Sequence, residues 1–214
     1  VFVSIKNAKE VKELEPNIHD NVLGALYAPT AGIINPFELV VGLTEHAMDN
    51  GVSLVLNALV TDIKKTKDGF LVITKDNSYE TKWVINAAGL YADTIHDMIH
   101  PHRFFIKPRR GEYLVLDHFD DTFLSHTLFS VPTNKGKGVL MTPTTHHNYL
   151  LGPTSYFIEN KDDVSTNQQT ISEVRQKADL MMKKIPYQHM IKQFAGNRAV
   201  SDNNDFIIEE ASPY

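Results

Sequence analysis

Val84-Ile85-Asn86-Ala87-Ala88-Gly89-Leu90-Tyr91-Ala92-Asp93 passes from an apolar β-type run through small residues into a helix-forming stretch. Trp83 to Asn86 reads as a strand, and a helix is expected from about Tyr91 to Ile99. Small side chains at the carboxyl end of a strand let a phosphate or ribose approach the backbone. Crevices at that end of the strands are where α/β sheets bind nucleotides. The same residues also suit plain tight strand–helix packing, and local chemistry leaves the two readings level.

Upstream, Lys9 to Leu14 reads as a short polar helix ended by Glu15-Pro16, and Gly24 to Ala28 as a short strand. Asn35 suits an N-cap, Pro36 the first helical position and Glu38 the reciprocal capping position. The helix they open carries Phe37, Val40, Val41, Leu43 and Ala47 at helical spacing and ends at Asn50-Gly51. Val52 to Leu56 is an apolar strand-like run. Val60–Lys65 and Phe70–Lys75 flank the hairpin signal Thr66-Lys67-Asp68-Gly69, and Lys75-Asp76-Asn77-Ser78 is a second turn.

Downstream, strands are expected at Ile106–Arg110, Glu112–Asp117, Thr127–Val131, Gly138–Thr142, Tyr149–Gly152 and Met190–Phe194. One long helix, about Asn167 to Lys184, lies among them, with Thr166 and Gln169 as its cap. Val174, Ala178, Met181, Met182 and Ile185 would form its apolar stripe. The sum is an α+β fold derived from an α/β layer, with a largely antiparallel sheet in its second half. A domain boundary is expected near His100-Pro101-His102, giving 1–100 and 101–214 as the two parts. The two histidines there read as a linker turn, and no metal site is assigned.

The 214 residues include no Cys, which removes thiol catalysis, disulfides, zinc-thiolate sites and cysteine-ligated iron–sulfur clusters together. A net charge of −5 argues against a nucleic-acid partner. No apolar run approaches the ~18–20 residues of a membrane span. No signal peptide is expected, so a cytoplasmic location is the default. No phosphate-cradling glycine loop occurs: Gly136 and Gly138 stand two apart, but Met141 fills the third position of such a fingerprint. Gly136-Lys137-Gly138 therefore reads as a hairpin turn. His146-His147 reads as a polar turn with a fallback role as proton carrier, and Lys161-Asp162-Asp163 as a solvated turn.

Asn86-Ala87-Ala88-Gly89-Leu90-Tyr91-Ala92-Asp93 resembles the third nucleotide-contacting segment of FAD-dependent oxidoreductases of the D-amino-acid-oxidase class. Within that class the chain is similar to FAD-dependent glycerol-3-phosphate dehydrogenases and L-2-hydroxyglutarate-oxidase-like relatives. The likeness runs nearly end to end, through Ala25–Ile33, Pro36–Leu39, Asn50–Val52, Arg110–Tyr113, Gly138–Thr144, Gly152–Thr154, Phe194–Ala199 and Asp205–Glu209. The family's opening Gly-rich FAD-pyrophosphate motif and its closing Gly-rich segment have no counterpart here. The expectation is a fragment: part of an FAD-binding Rossmann-like domain plus an antiparallel-sheet substrate domain, interleaved in the intact fold.

The resemblance implies these roles. Backbone near Val60 would approach the FAD adenine, and Ala87, Ala88 and Gly89 would line the pyrophosphate and ribose path. Arg110 to Tyr113 would border flavin and substrate. Arg198 would hold the anionic end of a small substrate; an ordinary salt bridge is its alternative. The implied reaction of the whole protein is oxidation of glycerol 3-phosphate to dihydroxyacetone phosphate by hydride transfer to FAD. Glycerol-3-phosphate dehydrogenases carry a His two residues after the Gly of the segment matching Arg110-Gly111, where this sequence has Tyr113. That leaves room for a 2-hydroxy acid or an amino acid as substrate, and no catalytic base is assigned. The reading from another class is a cofactor-free, catalytically silent substrate-side module. FAD is expected only in the whole protein. An exposed apolar surface is expected where the remaining segments of the same protein dock, with self-association as its consequence, and the resemblance also leaves room for peripheral membrane attachment.

Overall fold

The computed structural model describes residues 2–132 and 138–211. Gly136 and Lys137 of the expected hairpin turn lie outside the described residues; Gly138 has a positive φ of 74°. Strand β1 (Ser4–Asn7) leads into helix α1 (Ala8–Leu14), and β2 (Gly24–Tyr27) pairs antiparallel with β1, Ser4 opposite Tyr27. Asn7 caps α1: its Oδ1 accepts from the Glu10 amide at 3.1 Å while Glu10 Oε2 accepts from the Asn7 amide at 2.9 Å. Helix α2 (Pro36–Asp49) starts where Asn35 predicts, with the Asn35 Oδ1 accepting from the Phe37 amide at 3.0 Å. The Glu38 carboxylate does not close the box; it pairs with His146 Nε2 at 3.0 Å.

Strands β3 (Val60–Lys65), β4 (Phe70–Thr74) and β5 (Ser78–Thr81) form the expected antiparallel meander. A 3-10 turn, Gly89–Tyr91, precedes α3 (Ala92–Asp97). Then come β6 (Ile106–Leu116), β7 (Leu128–Phe129), β8 (Leu140–Pro143), β9 (Tyr149–Gly152), β10 (Tyr156–Phe157), α4 (Gln168–Asp179) and β11 (Met190–Ser201). The two strands expected around Gly111 are one, β6. Six strands form a sheet in the order β10-β6-β9-β8-β7, with β11 also on β6.

The chain divides into two compact units. One holds Val1–Thr44, Arg110–Tyr156 and Val164–Gly196; the other holds Glu45–Arg109, Phe157–Asp163 and Asn197–Tyr214. The first owns the main core. Leu114 and Leu116 of β6, Met141 of β8 and Leu151 of β9 are buried together with Ile171, Val174 and Ala178 of α4 and with Met182 and Ile185 beyond it. Of the predicted stripe, Val174 and Ala178 lie on the helix, Met182 and Ile185 are buried beyond its end and Met181 is partly buried; Ile171 is a core residue the prediction left out. The helix ends earlier than predicted, at Asp179, and its N-cap is Asn167, whose Oδ1 accepts from the Thr170 amide at 3.0 Å, not Thr166.

The second unit holds the meander, with Ile63 buried, and α3. Here two predicted strands fail. Val52–Leu56 and Trp83–Asn86 form no ladder among the described residues, and Ile85 is 90% exposed. A β run becomes a strand only when another strand supplies its hydrogen bonds. Helix α2 buries none of its residues, and Phe37 is 81% exposed. The expected exposed apolar surface is thus present, in α2 and in these two unpaired runs. No helix among the described residues is long and apolar enough to cross a membrane.

Candidate functional site

The small-residue turn after Ile85 is fastened by one side chain. Asn86 Oδ1 accepts from the Ala88 amide at 3.3 Å, and Asn86 Nδ2 donates to the Ala92 carbonyl at 2.8 Å. The Tyr91 amide donates to the Ala88 carbonyl at 3.0 Å. Gly89 sits at φ +56°, and the space where its Cβ would lie is empty to 4 Å. Ala87 and Gly89 border a cavity of about 660 Å³ within the second unit, whose walls include Ile63, Phe70, Ile95 and Ile106. Ala88 and Val60 are not among its lining residues. An open cradle walled by small residues beside a large cavity with mixed apolar and polar walls, Arg103 and Asp205 among them, fits a bulky planar or nucleotide ligand.

Beside the turn, Asp93 is a buried carboxylate in the first turn of α3. It accepts from Lys161 Nζ at 2.7 and 2.9 Å, from the Ile106 amide at 3.0 Å and from the Thr94 amide at 2.8 Å. Burial alone would raise its pKa; the Lys161 ammonium and the two amides outweigh burial and hold it below the usual aspartate range. Lys161 is therefore not the solvated residue its charge run suggests; its side chain is 22% exposed. A depressed folded-state pKa gives stability that is complete above the unfolded value, about 3.9, and is lost as pH falls toward the folded value. Asp93→Asn is expected to cost about 1–3 kcal/mol at pH 7 and to flatten the loss of stability below about pH 4. Urea melts of the whole protein across pH 3–7 check both.

Arg198 lies inside β11, not beyond the strand as the sequence suggests. Its side chain is exposed and has no hydrogen bond or ion pair among the described residues, so the salt-bridge alternative finds no partner there. Arg110 is different. Its side chain is 12% exposed, with Nη1 donating to Ser165 Oγ at 3.2 Å and Nε 3.5 Å from Glu112 Oε1.

Glu112, which sequence reasoning passed over, is fully buried. Its carboxylate accepts from the Asn167 amide at 2.9 Å and the Thr170 hydroxyl at 2.5 Å, joining β6 to the start of α4. Its signal was parity: Ile106, Pro108, Glu112, Leu114 and Leu116 alternate as the buried face of β6. Tyr113 has the opposite parity. Its ring stacks on Phe194 with centroids 5.0 Å apart and lies over Gly152. So Ala87 and Gly89 share a wall, while Arg110 and Tyr113 leave β6 on opposite faces.

Residues of both histidine pairs contact nearby side chains. His146 Nε2 lies 3.0 Å from both Glu38 Oε1 and Asn35 Nδ2 in an exposed turn, and its tautomer decides which of the two it bonds. His102 Nδ1 lies 2.5 Å from Asp97 Oδ2, and the His100 ring packs on His96.

The family described as FAD dependent oxidoreductase matches residues 3–213. The chain is similar to a glycerol 3-phosphate dehydrogenase of Caloramator mitchellensis, 42% identical over 97% of this chain and 43% of that protein. It is 30% identical to a glycerol 3-phosphate oxidase of Mycoplasma genitalium, over 98% of this chain and 56% of the relative. Its fold matches the dithionite-reduced L-alpha-glycerophosphate oxidase of Mycoplasma pneumoniae, a structure with FAD bound. The TM-score is 0.86 at 28% identity, over 96% of this chain and 55% of the other. The chain spans about half the length of these relatives.

Proposed function

The chain belongs to the FAD-dependent oxidoreductase family, and on that premise we propose that the whole protein oxidises glycerol 3-phosphate to dihydroxyacetone phosphate. The similarity to a glycerol 3-phosphate dehydrogenase along nearly the whole chain carries this reading. In it, residues 1–100 contribute to the FAD-binding domain and 101–214 to the substrate domain. The whole protein is cytoplasmic, and its remaining segments cover α2 and the unpaired runs at 52–56 and 83–86.

The open cradle at Gly89 supports FAD binding there, since any side chain at that position would occupy the space. Ala87, Ala88 and Gly89 then hold the pyrophosphate and ribose, and backbone near Val60 meets the adenine. Bound FAD supplies the two-electron acceptor chemistry. The chain's own residues do the rest. Arg198 clamps the phosphate of the substrate, donating two parallel N–H bonds to its oxygens. The Arg110–Tyr113 stretch of β6 borders flavin and substrate, with Arg110 held by Glu112 and Ser165. Tyr113, fixed by Phe194, closes the substrate side against water.

One observation favours a second reading. Tyr113 stands where the resemblance leads one to expect His, and a 2-hydroxy acid such as 2-hydroxyglutarate would meet the same arginine through its carboxylate. Product assays of the whole protein with both substrates decide between them. Turnover of glycerol 3-phosphate alone supports the first; turnover of 2-hydroxyglutarate alone replaces it. The 214-residue chain by itself should purify without stoichiometric flavin, because no glycine loop is present to share the pyrophosphate. The 450-nm absorbance per chain reads this, and a one-to-one flavin content would refute it.

A further inference from the structure

Lys161-Asp162-Asp163 reads as a solvated turn in sequence, yet three separate contacts fasten it. Lys161 Nζ reaches both oxygens of buried Asp93 at 2.7 and 2.9 Å. The Tyr91 hydroxyl donates to Asp162 Oδ1. On the other side, Asn197 Nδ2 donates to the carbonyls of Lys161 and Asp163, both at 3.0 Å. Asn197 Oδ1 is buried with no hydrogen-bond partner. Turning the amide over would set that oxygen against two carbonyl oxygens, so the two donated bonds alone fix its orientation. Asn197 is the residue next to Arg198 on β11, and Tyr91 and Asp93 directly follow the Ala87–Gly89 turn.

We propose that Asn197 and Lys161 are positioning residues for Arg198. The 161–163 segment acts as a bolt that holds the arginine's stretch of strand in one frame with the candidate cofactor turn. Hydride transfer tolerates little misplacement between donor and acceptor, so a fixed distance between the substrate's anchor and the cofactor's cradle has direct value. The Arg198 side chain has no hydrogen bond or ion pair among the described residues, so its placement depends on its backbone, and Asn197 is the neighbouring grip on that backbone. This rests on the reading of Arg198 as the anion contact.

The test uses the whole protein, with KM for glycerol 3-phosphate and competitive inhibition by inorganic phosphate as two measures of anion affinity. Asn197→Ala should raise both constants about tenfold while flavin content stays at wild type, because a misplaced arginine loses part of its anion contact. Lys161→Met should act in the same direction, and Lys161→Arg should restore most of the affinity. If Asn197→Ala does not fold, the Lys161 pair carries the same test. Lower melting temperatures with both constants within about twofold of wild type would make the bolt merely structural and overturn the proposal. Arg198→Ala, run beside them, separates the two failures. If it leaves phosphate affinity unchanged, the reading of Arg198 falls and the proposal with it; if it alone weakens phosphate, only the bolt falls.

Discussion

Arg198→Ala in the whole protein should raise KM for glycerol 3-phosphate by about 30-fold to several-thousand-fold, since truncating a desolvated arginine–anion contact costs roughly 2–5 kcal/mol. Flavin content and melting temperature should stay near wild type. The structure supports the second half of that expectation. The Arg198 side chain is exposed and makes no hydrogen bond or ion pair among the described residues, so its removal strands no buried partner. Arg198→Lys keeps the charge and loses the planar fork, so it should recover only part of the affinity. Steady-state kinetics with a flavin titration read all three quantities. Wild-type KM and kcat for every anionic substrate tested would remove Arg198 from the substrate site.

Gly152→Ala should destabilise the protein by roughly 3–5 kcal/mol, because backbone strain and overpacking act at the same atom. Gly152 has φ +143°, a conformation that side-chain-bearing residues rarely adopt. A Cβ there would lie 2.7 Å from Tyr113 Cδ1 and 2.8 Å from the Glu112 carbonyl oxygen. Neither can yield easily. The Tyr113 ring is held against Phe194, and the Glu112 backbone belongs to β6 beside its fully buried side chain. Tyr113→Ala in the same chain should recover the part due to the ring and leave the part due to φ. Urea denaturation of single and double variants separates them; a loss below about 0.5 kcal/mol for Gly152→Ala would contradict a tight β6–β9 pairing at Gly152.

What could be read from the sequence was what is settled locally. The 60–81 meander is written in its turn residues and stands where expected; of the α4 stripe, read from a 3.6-residue period, only Val174 and Ala178 lie on the helix, with Met182 and Ile185 buried beyond its end. Asn35 caps α2 as expected. At α4 the cap fell one residue later, on Asn167, because Thr166 and Asn167 are both able to cap and tertiary contacts choose between them. Those contacts include the bond from the Asn167 amide to Glu112, 55 positions away.

Non-local partners account for the rest. Val52–Leu56 and Trp83–Asn86 have strand composition, but no neighbouring strand among the described residues completes them. Glu112 looked like a routine charge in a strand until its parity placed it in the core. Lys161 sat in a charge run that suggested solvent, and its partner Asp93 is 68 positions away. Arg198 was legible as a residue type but not as a position within β11. The small-residue turn at 87–89 was legible as a place a ligand can approach, and the positive φ of Gly89 and the adjoining cavity agree with that.

Anaerobic addition of glycerol 3-phosphate to the purified whole protein tests the central claim most directly. The account predicts a flavin spectrum at rest whose 450-nm band bleaches on addition of the substrate, with one dihydroxyacetone phosphate formed per flavin reduced. A protein that carries no flavin, or a bound flavin that glycerol 3-phosphate leaves oxidised while a 2-hydroxy acid bleaches it, would contradict it.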